Sequence, residues 1–218
     1  MASELRTYGG VDGDDRVATR RAALIDAALT MLGGDPPELL TVRGVCRTAG
    51  LNPRYFYESF ESLDALTSST YDLVIETTSK VAMEAFHSYT GIDDRVRAAA
   101  GAIIFAVDSD RRMGRLLFSP ALSSPMLVRK REEATALFAS LSLSTSAQLL
   151  SATELGEIAM AAAQFQVGGF GRLLSAWLDG SPRLSREVMV DVSVALMMSV
   201  GRTLEAQLAK SAAAGTQR

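Results

Sequence analysis

Histidine and cysteine are almost absent from this 218-residue chain, which contains one of each. A single cysteine excludes an intramolecular disulfide and favours a reducing, intracellular compartment. One histidine, one cysteine and no glycine-rich phosphate loop leave acyl and phosphoryl transfer without their usual residues. No His and Cys cluster has the spacing of metal ligands. The composition therefore predicts a protein that is not an enzyme and needs no metal or cofactor, although carboxylate-only chemistry stays open.

Long apolar runs are also missing. The longest weakly charged stretch, residues 155–178, is interrupted by polar or charged residues that would be costly at the centre of a bilayer: Glu157, Gln164, Gln166 and Arg172. The first 15 residues are polar and lack the apolar core of a secretory signal, so residues 1–15 are expected to form a disordered arm. The sequence predicts no membrane span and a cytoplasmic location.

An excess of positive charge, the usual mark of a nucleic-acid partner, is absent as well. The chain has 22 Lys and Arg against 25 Asp and Glu, a net charge of -3. Between residues 16 and 66 the charges balance, because six Arg face six Asp or Glu. Any surface that binds nucleic acid must therefore arise from local placement of charge.

Apolar residues recur with the 3.6-residue period of a helix, and alternating β-branched runs are missing, so the chain is predicted to be all-α. A first helix is expected from about residue 16 to 32. Thr41 is the predicted N-cap of a short second helix. This helix buries Cys46 on its apolar stripe as an inert core thiol and turns Arg43 and Arg47 to another face.

Aromatic residues are only 6% of the chain, yet four of them lie within residues 55–60. Gly50 ends the second helix, and Asn52 and Pro53 suit the N-cap and first position of a third. Two short helices joined by a three-residue turn form a helix-turn-helix. Its inward rings, spaced i and i+4, are Phe56 and Phe60, which leaves the outward rings, Tyr55 and Tyr57, facing DNA.

This region resembles the DNA-binding domain of the TetR family of bacterial transcriptional regulators. The resemblance lies in the order of four segments: the first helix, then TVRGVCRTAGL, then NPRYFYESF and then ESLDAL. The residues at the family's motif positions are Thr41, Ala49, Gly50, Tyr57 and Phe60. Where the family usually carries a phosphate-binding Lys, this chain has Leu63. Together, the helix-turn-helix pattern and the resemblance predict these DNA-binding residues: Thr41, Arg43, Asn52, Pro53, Arg54, Tyr55 and Tyr57.

The resemblance implies about nine helices in two domains. An N-terminal three-helix helix-turn-helix domain is expected over residues 16–62, a larger helical ligand-binding and dimerisation domain over residues 63–210, and a frayed tail over residues 211–218. It also implies a homodimeric repressor that an apolar or amphipathic small molecule releases from a palindromic DNA operator. The residues on helices that line the family's ligand cavity are Met83, Phe86, Phe105, Met113, Phe118, Phe138, Gln164 and Phe165.

The last two long helices carry small residues and an apolar stripe, which predict a symmetric dimer joined by a four-helix bundle. The predicted interface residues are Gly168, Gly169, Val190, Val194, Met197, Leu204 and Leu208. The alternative is an all-helical protein that binds a small molecule or a partner and has lost sequence-specific DNA binding. Leu63 and the acidic balance favour this alternative, and a salt titration of DNA binding separates the two.

Overall fold

A computed structural model of the chain describes residues 13–119, 122, 124–146 and 153–215. For residues 13–14, 137–146, 153–159 and 204–215 it describes the helix but not the side chains. The described residues form nine helices and no strand, which confirms the all-α fold class. None of these helices combines the length and the apolar character needed to cross a membrane. The helices are α1 Gly13–Leu32, α2 Val42–Ala49, α3 Pro53–Ser59, α4 Leu63–His87, α5 Ile92–Ser109, α6 Arg111–Phe118, α7 Pro125–Ser146, α8 Thr153–Leu178 and α9 Arg186–Gly215.

The first and last helices are longer than the sequence predicted. Helix α1 begins at Gly13, inside the expected arm, and α9 continues to Gly215, inside the expected tail. Three consecutive alanines precede Gly215, and alanine has the highest helix propensity of all residues, so the helix continues past residue 210. The remainder of the expected arm, residues 1–12, and of the expected tail, residues 216–218, lies outside the described residues.

The chain divides into two compact units, and the boundary falls between Thr70 and Tyr71, within α4. The predicted boundary at residue 62 coincides with the start of α4 instead. The N-terminal unit retains the first two turns of α4 because Leu66 is fully buried in the core of that unit.

In the N-terminal unit, α1, α2 and α3 enclose one apolar core together with the start of α4. Its fully buried or nearly buried residues are Leu24, Ala27, Ala28, Met31, Val45, Cys46, Phe56, Phe60 and Leu66. Helix α2 approaches α1 closely at Gly44, where a Cβ atom would lie 3.0 Å from the Met31 methyl carbon. Glycine at this position therefore allows α2 to lie against α1 and sets the position of the helix-turn-helix.

In the C-terminal unit, α5, α8 and α9 share a second core of Ile104, Val107, Leu174, Trp177, Leu178 and Met189. The Trp177 indole Nε1 donates a hydrogen bond to the Leu184 carbonyl at 2.9 Å, which ties the end of α8 to the segment that leads into α9. Gly180 ends α8 with a φ of 82°, a left-handed conformation that favours glycine. Helix α6 packs so closely on α8 that a Cβ atom at Gly114 would overlap the Leu178 side chain.

Candidate functional site

Helix α2 has a defined cap at each end. The Thr41 hydroxyl oxygen accepts a hydrogen bond from the Gly44 amide at 3.0 Å, as expected of an N-cap. Gly50 adopts a left-handed conformation with a φ of 65°, and its amide donates to the Arg47 carbonyl at 3.2 Å. The next amide, of Leu51, donates to the Cys46 carbonyl at 2.9 Å. These bonds end α2 after eight residues and start the turn.

Helix α3 begins at Pro53, three residues after Gly50. The Asn52 side-chain oxygen accepts from the Arg54 amide at 3.0 Å, and Pro53 occupies the first helical position, where its missing N–H costs nothing. The predicted helix-turn-helix, with α3 as the second helix, is therefore confirmed in its caps and its length.

Two of the four aromatic rings clustered in α3 and at Phe60, its C-cap, face inward. Phe56 is fully buried and Phe60 almost so, and their ring centroids lie 6.1 Å apart. The Phe60 amide also donates to the Phe56 carbonyl at 2.8 Å, which closes the last turn of the helix. The i and i+4 spacing thus predicted the inward face of α3 correctly.

The two tyrosines of this cluster differ in their surroundings. Tyr57 is 68% exposed, with its ring packed edge-on against Phe56. Tyr55 is half-buried, and the Arg20 guanidinium carbon lies 4.4 Å from the centroid of its ring. Tyr57 therefore offers its ring and hydroxyl to a ligand outside the core, whereas one face of Tyr55 is already covered by α1.

Three arginines are exposed on the helix-turn-helix: Arg43 and Arg47 on α2, and Arg54 on α3. Within the part of the chain that the structure describes, no ion pair engages Arg43 or Arg47. The Arg54 Nε donates to Glu58 Oε1 at 2.8 Å, and the Arg54 side chain is 83% exposed. These three arginines and Tyr57, here called the exposed helix-turn-helix residues, supply donors suited to phosphates and base edges.

Leu63, at the position where the TetR family usually carries a phosphate-binding Lys, is the first residue of α4. Its side chain packs against the core of the N-terminal unit, and the preceding Ser62 hydroxyl accepts from the Ala65 amide at 3.1 Å. Leu63 therefore contributes apolar packing at the start of α4 and no charge.

The residues predicted to line a ligand cavity lie in different surroundings. Phe105 and Phe165 are 56% and 71% exposed, and the Arg186 guanidinium lies over the Phe105 ring at 5.2 Å. Those that are half-buried are Met83, Phe86, Met113 and Phe118, and the Phe138 side chain lies outside the described residues. The side chains that the structure describes therefore do not converge as a group on one enclosed cavity.

A cleft of about 440 Å³ lies between α7 and α8, and its lining includes one predicted ligand residue, Gln164. The other lining residues are Val128, Arg131, Glu132, Thr135 and Ala136. The half-buried Arg131 guanidinium donates to carbonyls at the end of α6 and beyond it: Leu117 at 2.8 Å, Leu116 at 3.1 Å and Leu122 at 2.6 Å. Sequence reasoning missed Arg131, because its acceptors are main-chain carbonyls that no side-chain pattern reveals.

Burial sets the ionisation of the groups behind this cleft. It lowers the pKa of Arg131 from its ordinary value, an effect that the nearby Tyr71 opposes. Burial also raises the pKa of Tyr71 to about 12, although Arg131 acts against this increase. The Tyr71 phenol is therefore neutral and the guanidinium charged at neutral pH. The cleft thus combines apolar surface from Val128 and Ala136 with the positive charge of Arg131 and the carboxylate of Glu132.

A second cleft, of about 290 Å³, lies between α5 and α9 and is more polar. Its walls include an ion pair between Arg97 and Asp191, with Nη1 and Oδ1 2.6 Å apart. In the described residues, no cluster of three or more His, Cys, Asp and Glu is placed to hold a metal ion.

Comparison with known proteins identifies the architecture. No protein-family model and no curated protein matches the chain. A TetR family transcription regulator from Marinobacter aquaeolei VT8 is similar in structure, with a TM-score of 0.60 at 15% identity over 86% of this chain and 97% of that one. The fatty acid degradation regulator FadR from Bacillus halodurans has a TM-score of 0.66 at 14% identity, covering 82% of this chain and 94% of its own. FadR from Bacillus subtilis, solved with stearoyl-CoA, has a TM-score of 0.64 at 12% identity, covering 82% and 98%.

This chain has the TetR-family fold. The resemblance first noted in residues 41–66 is therefore confirmed for the architecture of both units. Identities of 12–15% establish the fold alone.

Helix α9 of this TetR-type fold has two apolar faces. The stripe predicted for dimerisation is used within the chain, because Val194 is buried, Val190 packs against the C-terminal core and Met197 is half-buried. Gln166 Nε2 also donates to the Met197 carbonyl at 2.8 Å, which joins α8 to α9. The exposed apolar stripe is offset from it and contains Val188, Val192, Ala195 and Leu196. The side chains of Leu204 and Leu208 lie outside the described residues.

Helix α8 of the TetR-type fold also exposes an apolar patch, bordered by the exposed polar residues Gln164 and Arg172. Gly168 and Gly169, both predicted for the interface, are exposed on it. Phe165, predicted for the ligand cavity, precedes them by three and four residues and lies on the same helix face. Small residues beside an aromatic ring allow close approach by another helix. Both α8 and α9 therefore carry apolar surface that no other described residue covers.

Proposed function

We propose that this protein is a DNA-binding transcriptional regulator that acts in the cytoplasm as a homodimeric, ligand-responsive repressor of a palindromic operator. One observation carries the proposal: α3 buries Phe56 and Phe60 while Arg54 and Tyr57 remain exposed. A helix that is anchored to the core by two buried rings and carries hydrogen-bond donors on its exposed face is suited to insertion into a major groove of DNA. The structural neighbours are transcription regulators and not enzymes, which supports a function without catalysis.

The local charge favours DNA binding more than the net charge does. Arg43 and Arg47 lie one turn apart on α2, and no ion pair engages either in the described part of the chain. Arginines that meet phosphates release counterions, so binding must weaken steeply with salt. The aliphatic Leu63 removes one family phosphate contact, which lowers affinity without changing the helix-turn-helix geometry.

Selection of bound sequences from a random duplex library tests the proposal. We expect an enriched palindrome whose half-sites are separated by about one helical turn. Arg43→Ala should weaken binding to that sequence by roughly 1–3 kcal/mol for a base contact, or by less, with a salt slope smaller by about one, for a phosphate contact. Arg183→Ala, an exposed arginine of the C-terminal unit, is the matched control and should change neither quantity. Equal affinity for all duplexes would exclude the repressor and favour the binding protein that has lost sequence-specific DNA recognition.

We further propose that a second copy of the chain covers the exposed faces of α8 and α9, which pack against each other. The resulting interface would be a four-helix bundle containing Phe165, Gly168, Gly169 and Leu196 of both copies, joined by the C-terminal part of α9 with Leu204 and Leu208. Two copies related by a twofold axis present two α3 helices to a palindrome, so dimerisation and the predicted operator symmetry support each other.

The effector is proposed to be an apolar or amphipathic small molecule bound between α7 and α8. The cleft there has room for part of a drug-sized ligand, and Gln164 and Arg131 offer polar groups beside apolar walls. Helix α4 is the proposed lever, since it runs without a break from the N-terminal into the C-terminal unit. A tilt of α4 would move the paired α3 helices away from the about 34–36 Å separation that one turn of DNA requires.

A thermal-shift screen of apolar and amphipathic compounds, with stearoyl-CoA among them, tests the effector proposal. A compound that binds is expected to weaken operator binding about 5- to 150-fold, and the operator should weaken its binding by the same factor. Gln164→Ala should reduce compound binding and leave operator binding without the compound unchanged. If a compound binds this cleft tightly and leaves the affinity for the operator unchanged, the cleft is not the site that controls DNA binding.

A further inference from the structure

The Glu58 carboxylate on α3 lies between two guanidinium groups. Its Oε1 accepts from Arg54 Nε at 2.8 Å, one helical turn earlier on the same helix. Its Oε2 lies 3.9 Å from Nη2 of Arg20, which belongs to α1. The carboxylate is therefore positioned from two sides, once by its own helix and once by a helix of the supporting core.

The second of these contacts is itself anchored. The Arg20 side chain is mostly buried, and its guanidinium carbon lies 4.4 Å from the centroid of the Tyr55 ring. Stacking on an aromatic face restricts a guanidinium to one plane. Arg20 thus holds its position through Tyr55, and Glu58 is oriented by tertiary structure rather than by helix geometry alone.

Helix stability does not explain the pair between Glu58 and Arg54. The Arg54 side chain is 83% exposed, and exposed ion pairs contribute little to stability. A basic residue four positions before an acidic one is also the less favourable order along a helix. In addition, an acidic residue such as Glu58, on a helix that enters a DNA groove, repels the DNA phosphates. The arrangement therefore requires another explanation.

The free edge of the Arg54 guanidinium supplies that explanation. Arginine has five N–H donors in one plane, and donation from Nε to Glu58 leaves the edge formed by Nη1 and Nη2 for another partner. This edge matches the O6 and N7 acceptors of guanine in the major groove. We propose that Glu58 is a specificity-determining residue that holds Arg54 with this edge presented to a guanine of the operator. The inference rests on the proposed function, because it requires α3 to enter the groove.

The test compares base preference in wild type and variants on the sequence selected from random DNA. Wild type is expected to prefer one guanine about 5- to 150-fold over other bases, and Arg54→Lys, which keeps the charge but loses the fork, should abolish that preference. Glu58→Ala should lower the same preference about 2- to 12-fold, the cost of ordering a freed arginine on binding. It should also tighten binding to random duplex, because one negative charge is removed. Glu58→Gln retains an oxygen acceptor and should retain most of the preference.

Glu61→Ala is the matched control, since it removes an exposed carboxylate just after α3 that no described contact joins to Arg54. It should tighten binding to random duplex and leave the guanine preference unchanged. In the Arg54→Lys background, Glu58→Ala should have no further effect on preference. Thermal melting of each variant verifies that α3 remains folded.

Three results would overturn the inference. A Glu58→Ala variant that keeps the full guanine preference, where Arg54→Lys abolishes it, would show that Glu58 does not act through Arg54. A selected operator at which Arg54→Lys changes no guanine preference would exclude base contact by Arg54 and leave the proposed function intact. A wild-type protein with no preference for any sequence would overturn the inference and the proposed function together.

Discussion

Replacing Phe56 by alanine is expected to destabilise the N-terminal unit by about 3–5 kcal/mol. The Phe56 ring is fully buried in the core of the N-terminal unit and lies beside the rings of Phe60 and Tyr57. Its removal leaves a cavity that short, capped helices cannot easily close. A unit of this size has a total stability of about 3–10 kcal/mol, so a third or more of it would be lost. Hydrogen exchange of the α1–α3 amides measures this loss separately from the C-terminal unit.

Tyr57→Ala is the control for this prediction, because it removes the neighbouring aromatic ring from an exposed site. Its effect on stability should stay within about 0.5 kcal/mol, whereas operator binding should weaken. Two adjacent aromatic residues would then divide into one that supports the fold and one that binds DNA. An effect of Phe56→Ala below about 1 kcal/mol would contradict the core that the structure assigns to α3.

Leu196→Glu is expected to raise the dissociation constant of the dimer about a thousandfold. Leu196 is 58% exposed and lies near the middle of α9, between Val188 and Leu208 of the proposed interface, which would bury it. Loss of a buried apolar contact at an interface centre costs about 2 kcal/mol. In a twofold-symmetric dimer the substitution is present in both copies, so this cost applies twice. The sum of about 4 kcal/mol corresponds to that factor. Sedimentation at micromolar concentration measures the change, and operator affinity should fall because each monomer binds one half-site.

Leu73→Glu provides the matched control for the interface. Leu73 is also a partly exposed leucine of the C-terminal unit, but it lies on α4, outside the two helices of the proposed bundle. It should leave the dimer intact. A wild-type protein that sediments as a monomer, or a Leu196→Glu variant that remains a dimer, would contradict the interface on α8 and α9.

The helix-turn-helix could be predicted from the sequence because its determinants are local. Thr41, Gly50 and Asn52 cap or end helices through bonds to residues at most four positions away in the chain. Phe56 and Phe60 share a face because they are one turn apart, whatever lies behind them. These features can therefore be predicted without knowledge of the rest of the fold.

Which apolar face of α9 is covered could not be predicted in this way. The sequence contains two such faces, one with Val190 and Val194 and the other with Val192 and Leu196. Periodicity reports that a face is apolar but not which neighbour packs on it. The positions of α5 and α8 decided that the first face is internal and the second exposed.

The sequence alone therefore determined the all-helical class, the caps and the inward rings of α3, since each depends on spacing within one or two turns. Tertiary structure alone decided that Arg20 covers Tyr55 and faces Glu58, although these residues are 35 and 38 positions apart. It alone placed the Arg131 guanidinium on carbonyls of α6. Such contacts join groups that are far apart in the chain and come together only on folding. The periodicity of the sequence therefore does not predict them.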